Sequence, residues 1–321
     1  MTGRGRIRVA VVGGGENCEH DVSLESASAA CAALDRDMFD VVPLTIGRDG
    51  TWLDPTGAPM GQSRAESVAV AVRILSACDV VLPLLHGPRG EDGTLAALCD
   101  LVGVPCVGSP LGASAIAMDK WATKLMAEAV GVLTAPAKLL TRGDTVAFNG
   151  PVVVKPVAAG SSYGVTLVER EEELEPALRA AFELDERVLV EEFIVGREID
   201  IAVIDDPEAG RRPGPPLEIL NGGQIFDTAT KYDGNASFVV PAQLSPGEAR
   251  AISDAALRIY DALGCRGYAR IDFFLTKNGP VLNEVNTIPG MTAHSQVPRM
   301  FAAEGMDYTE LLTRLIRTTV R

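Results

Sequence analysis

Apolar positions along the chain change period twice. In the first third, short apolar runs alternate with helical spacing: Arg8–Val12, Ser23–Leu34, Val41–Ile46, Val80–Leu84, Thr94–Leu101 and Val104–Val107. That alternation predicts βαβ units and a parallel sheet. Met118, Trp121, Leu125, Met126 and Val130 then fall near helical spacing, which predicts one amphipathic helix over Met118–Val130, stopped by Gly131, with a domain boundary just before it. The middle reads as strand Val152–Lys155, a Gly/Ser loop, strand Val165–Val168, a charged helix Glu171–Leu184, and strands Arg187–Phe193 and Glu198–Val203, a small α+β unit.

Asp205–Pro216, rich in Pro, Gly and charge, reads as an exposed loop. In Ser245-Pro246-Gly247-Glu248 a capping serine, a proline at the first helical position and a glutamate at the third start a helix. Its apolar face is Ile252, Ala256, Ile259 and Leu263, and Gly264 ends it. Strands Tyr268–Leu275 and Val281–Val285 flank Lys277-Asn278-Gly279, a strong hairpin signal. A helix over Tyr308–Thr319 closes the chain, and no repeat or low-complexity tract interrupts it.

Composition narrows the class. A chain of 321 residues, 47% hydrophobic and 22% charged, predicts a globular protein of two or three domains and excludes a disordered or fibrous one. Apolar runs such as Val80–Leu85 fall far short of the roughly 18–20 residues of a membrane span, and Met1–Arg8 lacks the apolar core of a signal segment. The expected compartment is the cytoplasm. Lys and Arg number 29 against 43 Asp and Glu, a net charge of −14, which opposes nucleic acid or a membrane as a partner. The six cysteines form no CxxC pair, so neither a zinc cluster nor a disulfide framework is indicated. The three histidines, His20, His86 and His294, all lie in loop-like segments.

The strongest chemical constellation is the C-terminal hairpin. Alternation puts Arg270 and Asp272 on one strand face and Glu284 and Asn286 on one face of the partner; a suitable register makes four polar groups converge. Two carboxylates and an amide oxygen are hard ligands suited to Mg²⁺ or Mn²⁺, and the arginine suits a developing phosphate or oxyanion charge. In isolation such residues usually form a solvated face with a cross-strand ion pair. Here Asn286 opens into Thr287-Ile288-Pro289-Gly290-Met291-Thr292, the composition of a ligand loop, and that favours a site.

A second candidate is Val154-Lys155-Pro156 followed by Gly160-Ser161-Ser162-Tyr163-Gly164. It offers a strand-end ammonium and bare backbone N–H groups to anionic oxygens, with Lys120 as a further cation. A Gly-Ser turn alone is more often a hairpin. Third, Glu191-Glu192-Phe193-Ile194 with Glu198 offers carboxylates and bare backbone to an adenine edge and a ribose, or is simply a polar strand end. Fourth, Gly13-Gly14-Gly15 fails the dinucleotide test, because the third glycine would fall at Cys18. It reads instead as a turn before a helix N-terminus, with Glu19 available to an amine. His86-Gly87-Pro88-Arg89-Gly90-Glu91-Asp92-Gly93 sits at a strand's carboxyl end, where open α/β sheets bind ligands, although a lone histidine there is as readily structural.

Across nearly the whole chain these blocks resemble the ATP-grasp superfamily, specifically the D-alanine–D-alanine ligase family. The carriers are Glu19-His20-Asp21-Val22-Ser23-Leu24, His86-Gly87 with Gly90–Thr94, Met118-Asp119-Lys120, Val154-Lys155-Pro156 with Gly160-Ser161-Ser162 and Gly164, Lys231-Tyr232, and Arg270, Asp272, Glu284, Asn286, Pro289–Thr292 and His294-Ser295. The resemblance implies a mixed α/β and α+β, three-domain ATP-grasp architecture: an N-terminal open parallel α/β sheet (1–112), a small central lid domain (113–197) and a C-terminal α+β domain (198–321).

It further implies that ATP activates one D-alanine to an acyl phosphate, which the amine of a second attacks, for peptidoglycan synthesis; a homodimer is usual. Mapped by motif, Glu19 with Ser161 and Tyr232 would hold the first ammonium, and His86 would lie near the first carboxylate. Arg270 and the Gly290 backbone would stabilise the intermediate, with Lys231 and Ser295 binding substrate. Lys120, Lys155, Glu191, Phe193, Ile194 and Glu198 would bind ATP, and Asp272, Glu284 and Asn286 two Mg²⁺ or Mn²⁺ ions. Tyr163 stands where relatives usually carry a small aliphatic residue, and Phe226–Tyr232 departs from the usual Asp-Tyr-Glu-Ala-Lys-Tyr while keeping the final Lys-Tyr. That pair favours an amine nucleophile. The departures leave open a ligase for a different D-amino acid or amine.

Overall fold

The structure, a computed structural model, describes residues 5–220 and 237–320. The apolar runs of the first third become a four-stranded sheet in the order Trp52–Leu53, Phe39–Ile46, Ile7–Gly14, Val80–Pro83. Its three long strands are parallel, as the βαβ pattern requires, and Trp52–Leu53 adds an antiparallel edge. Val104–Val107, expected as a strand, contributes a single bridge from Cys106 to Val81.

A second sheet orders Ser237–Val239, Leu217–Leu220, Arg197–Asp206, Tyr268–Thr276, Gly279–Asn286 and Leu133–Thr134, with Gly210–Pro213 paired to Arg197–Asp206. Helix Pro246–Leu263 packs Ile252, Ala256, Ile259 and Leu263 onto it. The expected capping box is present, with Glu248 N–H donating to Ser245 Oγ (3.3 Å), and Gly264 closes the helix at φ 72°. The sheet's other face shares one core with the first sheet, where Val9, Phe39 and Leu82 meet Tyr268, Phe301 and Leu312. A third, antiparallel sheet, Ala137–Thr141, Arg187–Glu192, Val152–Pro156 and Thr166–Val168, carries helix Glu171–Phe182 over its own core.

Two expectations are corrected. Met118–Val130 is not one helix: Leu111–Met118 and Lys120–Ala129 are separated at Asp119. Aspartate competes with the helical backbone and prefers to cap; Asp119 Oδ1 accepts Ala122 N–H (2.9 Å) and Oδ2 accepts Arg187 (2.7 Å). Lys120 thereby becomes a first-turn residue. Asp205–Pro216 is not an open loop but the hairpin of Arg197–Asp206 and Gly210–Pro213. Buried Asp206 builds its turn by accepting the N–H groups of Glu208 (2.8 Å) and Ala209 (3.0 Å), and takes Arg314 on its other oxygen (2.7 Å).

Candidate active site

The C-terminal hairpin has the register that its chemistry demands: Arg270 stands opposite Asn286 and Asp272 opposite Glu284. Between Asp272 and Phe273 the register slips, because Phe273 pairs with Leu282 and leaves Asn283 as an extra residue on the second strand. Leu282 and Val285 both face the core. Strict alternation from Leu282 would turn Glu284 inward; the bulge resets the phase and delivers Glu284 and Asn286 to the open side.

On that face Arg270 donates Nε to Asp272 Oδ1 and Nη2 to Oδ2, both at 2.8 Å, and lies 3.7 Å from Asp200 on the neighbouring strand. Burial works against the Arg270 charge, but Asp272, Asp200 and Glu284 outweigh it and hold the guanidinium above its ordinary range. Asn286 Nδ2 also donates to Asp272 Oδ2 (3.0 Å). Asp272 therefore accepts three bonds at oxygens with about four lone-pair sites, and the amide oxygen of Asn286 is its remaining polar atom. Among the described residues, no three of His, Cys, Asp and Glu form a metal cluster by themselves. The oxygen set fits a hard divalent ion that keeps waters and takes further oxygens from a phosphate.

The opposite wall is cationic. Strand Val152–Pro156 carries Lys155, whose Nζ lies 2.7 Å from Glu191 Oε2, while Lys124 Nζ lies 3.0 Å from Oε1 and donates to Ala135 O (2.8 Å). All three side chains are buried. Burial pushes the Glu191 carboxyl up, yet the two lysines outweigh it and hold it below the carboxylate range; burial also depresses Lys124. Lys120 donates to Ala159 O (2.9 Å), lies 3.7 Å from Glu284 and is lowered by burial.

The third wall comes from the N-terminal sheet. Glu19, at the head of helix His20–Ala33, accepts the Ser161 hydroxyl on Oε1. Its Oε2 sits close against two glycines, Gly87, whose φ of 72° itself favours glycine, and Gly160. His86 is buried, with Nδ1 2.7 Å from Ile288 O and Nε2 2.9 Å from Ser26 Oγ. A carbonyl can only accept, so Nδ1 carries the proton, and burial holds the ring below its ordinary value. Ser295 Oγ accepts Thr292 N–H (3.0 Å) beside Gly290.

These walls enclose one cleft of about 710 Å³. Glu19, His86, Lys120, Lys155, Ser161, Glu191, Phe193, Ile194, Glu198, Arg270, Asp272, Glu284, Asn286, Gly290 and Ser295 all line it. Lys231 and Tyr232 lie outside the described residues.

Two family models match the chain, “D-ala D-ala ligase N-terminus” over residues 8–109 and “D-ala D-ala ligase C-terminus” over residues 135–317. The chain belongs to the D-alanine–D-alanine ligase family. It is 40% identical to the D-alanine–D-alanine ligase of Nocardia farcinica, over 98% of this chain and 97% of that one. Among solved structures it is similar to the Bacillus anthracis D-alanine–D-alanine ligase complexed with ATP (30% identity, TM-score 0.79, 98% of both chains). It is also similar to the VanG D-Ala:D-Ser ligase of Enterococcus faecalis (34% identity, TM-score 0.81, 97% of this chain and 99% of that one). The fold is therefore the ATP-grasp fold of these ligases.

For a member of this ligase family, the sequence reading left three polar groups in or just behind the cleft walls without a role, Glu91 and Asp200 in the lining and Lys124 behind it on Glu191. Lys124 lies four residues after Lys120, so helical spacing could have placed both on one side. Asp200 shares its strand face with Glu198 and stands directly opposite Asp272. Glu91, quoted within a motif, turns out to line the cleft half-buried: burial, with Glu19 nearby, pushes its carboxyl up to about 7.

Proposed function

We propose that this cleft joins two D-alanines into D-alanyl-D-alanine for peptidoglycan synthesis, with ATP as co-substrate and an acyl phosphate as intermediate. The observation that carries the reading is the pairing of walls: Lys120 and Lys155 face the same enclosed space as Arg270, Asp272, Glu284 and Asn286. A carboxylate and a triphosphate repel, and only a site that supplies cations from both sides brings them together.

On this reading Lys120 and Lys155 bind the phosphates, while Glu191, Phe193, Ile194 and Glu198 hold the nucleoside. Asp272, Glu284 and Asn286 would hold two Mg²⁺ or Mn²⁺ ions, which would supply Lewis-acid neutralisation of the phosphate charge. Glu19, oriented by Ser161 and joined by Tyr232, receives the ammonium of the first D-alanine. His86, its ring nitrogens committed to Ser26 and Ile288, borders the first carboxylate. Arg270 spends two of five N–H donors on Asp272, and turns the rest, with the Gly290 N–H, on the developing oxyanion. Ser295 and Lys231 take the second substrate. The three domains divide at 112/113 and 197/198, and the enzyme works as a cytoplasmic homodimer.

The test is release of ADP and phosphate that depends on D-alanine, with the dipeptide identified by mass. ATP turnover indifferent to every D-amino acid overturns the reading. Likeness to a D-Ala:D-Ser ligase motivates D-serine and D-lactate in the same panel. With an amine acceptor, rate rises with pH as the ammonium deprotonates, whereas a hydroxyl acceptor gains little.

A further inference from the structure

On the ligase reading above, we infer that Glu91 is a positioning residue: from the N-terminal wall it grips the main chain of Ile288 and so holds the Thr287–Met291 loop, which carries the Gly290 N–H, in the register acyl transfer uses.

Glu91 accepts Ile288 N–H on Oε1 (3.2 Å) and Gly87 N–H on Oε2 (3.2 Å), and its main-chain carbonyl accepts the Thr287 hydroxyl (2.9 Å). On the far side of the same residue, the Ile288 carbonyl accepts His86 Nδ1–H (2.7 Å). Both peptide groups of Ile288 are thus held by one short turn that lies about 200 residues away in sequence, separations of 197 and 202. The grip continues along the loop. Met291 N–H donates to Ser26 Oγ (3.3 Å), whose own proton goes to His86 Nε2, and the Tyr308 hydroxyl donates to Met291 O.

A carboxylate is the side chain this geometry requires. Two N–H groups approach its two oxygens, so both arms must accept, whereas glutamine offers one oxygen and one NH₂ donor. Keeping an acid here is costly, since burial and Glu19 push its carboxyl up to about 7. A strap of purely structural purpose needs no such group. Gly290 lies two residues beyond the gripped residue, so a small shift of Ile288 moves the oxyanion donor.

Glu91→Gln and Glu91→Ala test this against wild type in the D-alanine-dependent phosphate assay, with ATP affinity measured separately by calorimetry. We expect kcat to fall about 100-fold in Glu91→Ala, the scale of an ångström of misplacement, and about tenfold in Glu91→Gln. ATP affinity should stay within twofold, and amide exchange should rise in the peptide spanning Thr287–Met291 but not in Val152–Pro156. Retention of kcat in both variants overturns the inference, as does loss of kcat and ATP affinity in proportion to thermal stability. If Glu91→Ala does not fold, the isosteric Glu91→Gln decides. A wild type without D-alanine-dependent turnover fails the ligase reading itself, a result distinct from either.

Discussion

The two charged walls of the cleft solve opposite problems. On the lysine wall, among the described residues, two lysines share one buried carboxylate, Lys155 and Lys124 on the two oxygens of Glu191. On the hairpin wall one arginine is set among Asp200, Asp272 and Glu284, its fork locked to Asp272 by two 2.8 Å bonds. A lysine is a point charge on a flexible stem, so Lys155 can turn to a phosphate while Lys124 keeps Glu191 compensated. The arginine fork is fixed in its plane before any substrate arrives. One wall exchanges partners; the other is preorganised. On the proposed reading, divalent cations arriving with the phosphate would offset the surplus of carboxylate at the second wall.

Arg270→Lys tests the preorganised side. It retains the charge but loses the fork, and we expect kcat to fall by about 10²–10³ with little change in ATP affinity; a variant near wild type would show that charge alone suffices. On the exchanging side, Glu191→Gln leaves two buried ammonium groups without their acid, for a loss of about 3 kcal/mol in unfolding free energy at pH 6. The Glu191 carboxyl sits below its ordinary 4.5. Its contribution is therefore present above pH 4.5 and disappears as pH falls through the lower folded value, so the gap to wild type should close on acidification. Denaturant titrations at stepped pH measure that closure, and a constant gap contradicts the pairing. The smallest effect falls to Lys124→Met, which leaves Glu191 to Lys155 alone. With Lys155, proposed above to meet the phosphates, now tied to its carboxylate, KM for ATP should rise about tenfold at unchanged kcat, one decade being about 1.4 kcal/mol. An unchanged KM removes Lys124 from the exchange.

Much of this was legible in the chain because it rests on local rules. Alternation and the Asn278-Gly279 turn placed Arg270, Asp272, Glu284 and Asn286 on facing strands, and the observed pairs are Arg270 with Asn286 and Asp272 with Glu284. The capping box at Ser245 and the stop at Gly264 are likewise short-range. What escaped depends on distant partners. Asp119 breaks its helix while bonded to Arg187, 68 residues on, and the segment from Asp205 is folded back with Asp206 held by Arg314, 108 residues on. The commitment of both His86 nitrogens needs Ser26 and Ile288 in place. No periodicity carries that information, since hydropathy records which face is wet but not what lies across it.

The extra residue at Asn283 has a consequence for how such a chain tolerates change. Removing it would set Glu284 directly after Leu282, so plain alternation would still turn the acid outward, with the same turn and the same apolar partners for Phe273 and Phe274. At the present length, however, a ladder that paired every residue from Leu282 onward would bring the acid half a pleat out of step and point it into oil rather than water. Substitutions that keep the bulge can be absorbed by degrees, whereas one that lets Asn283 pair into the ladder switches this polar face inward in a single step.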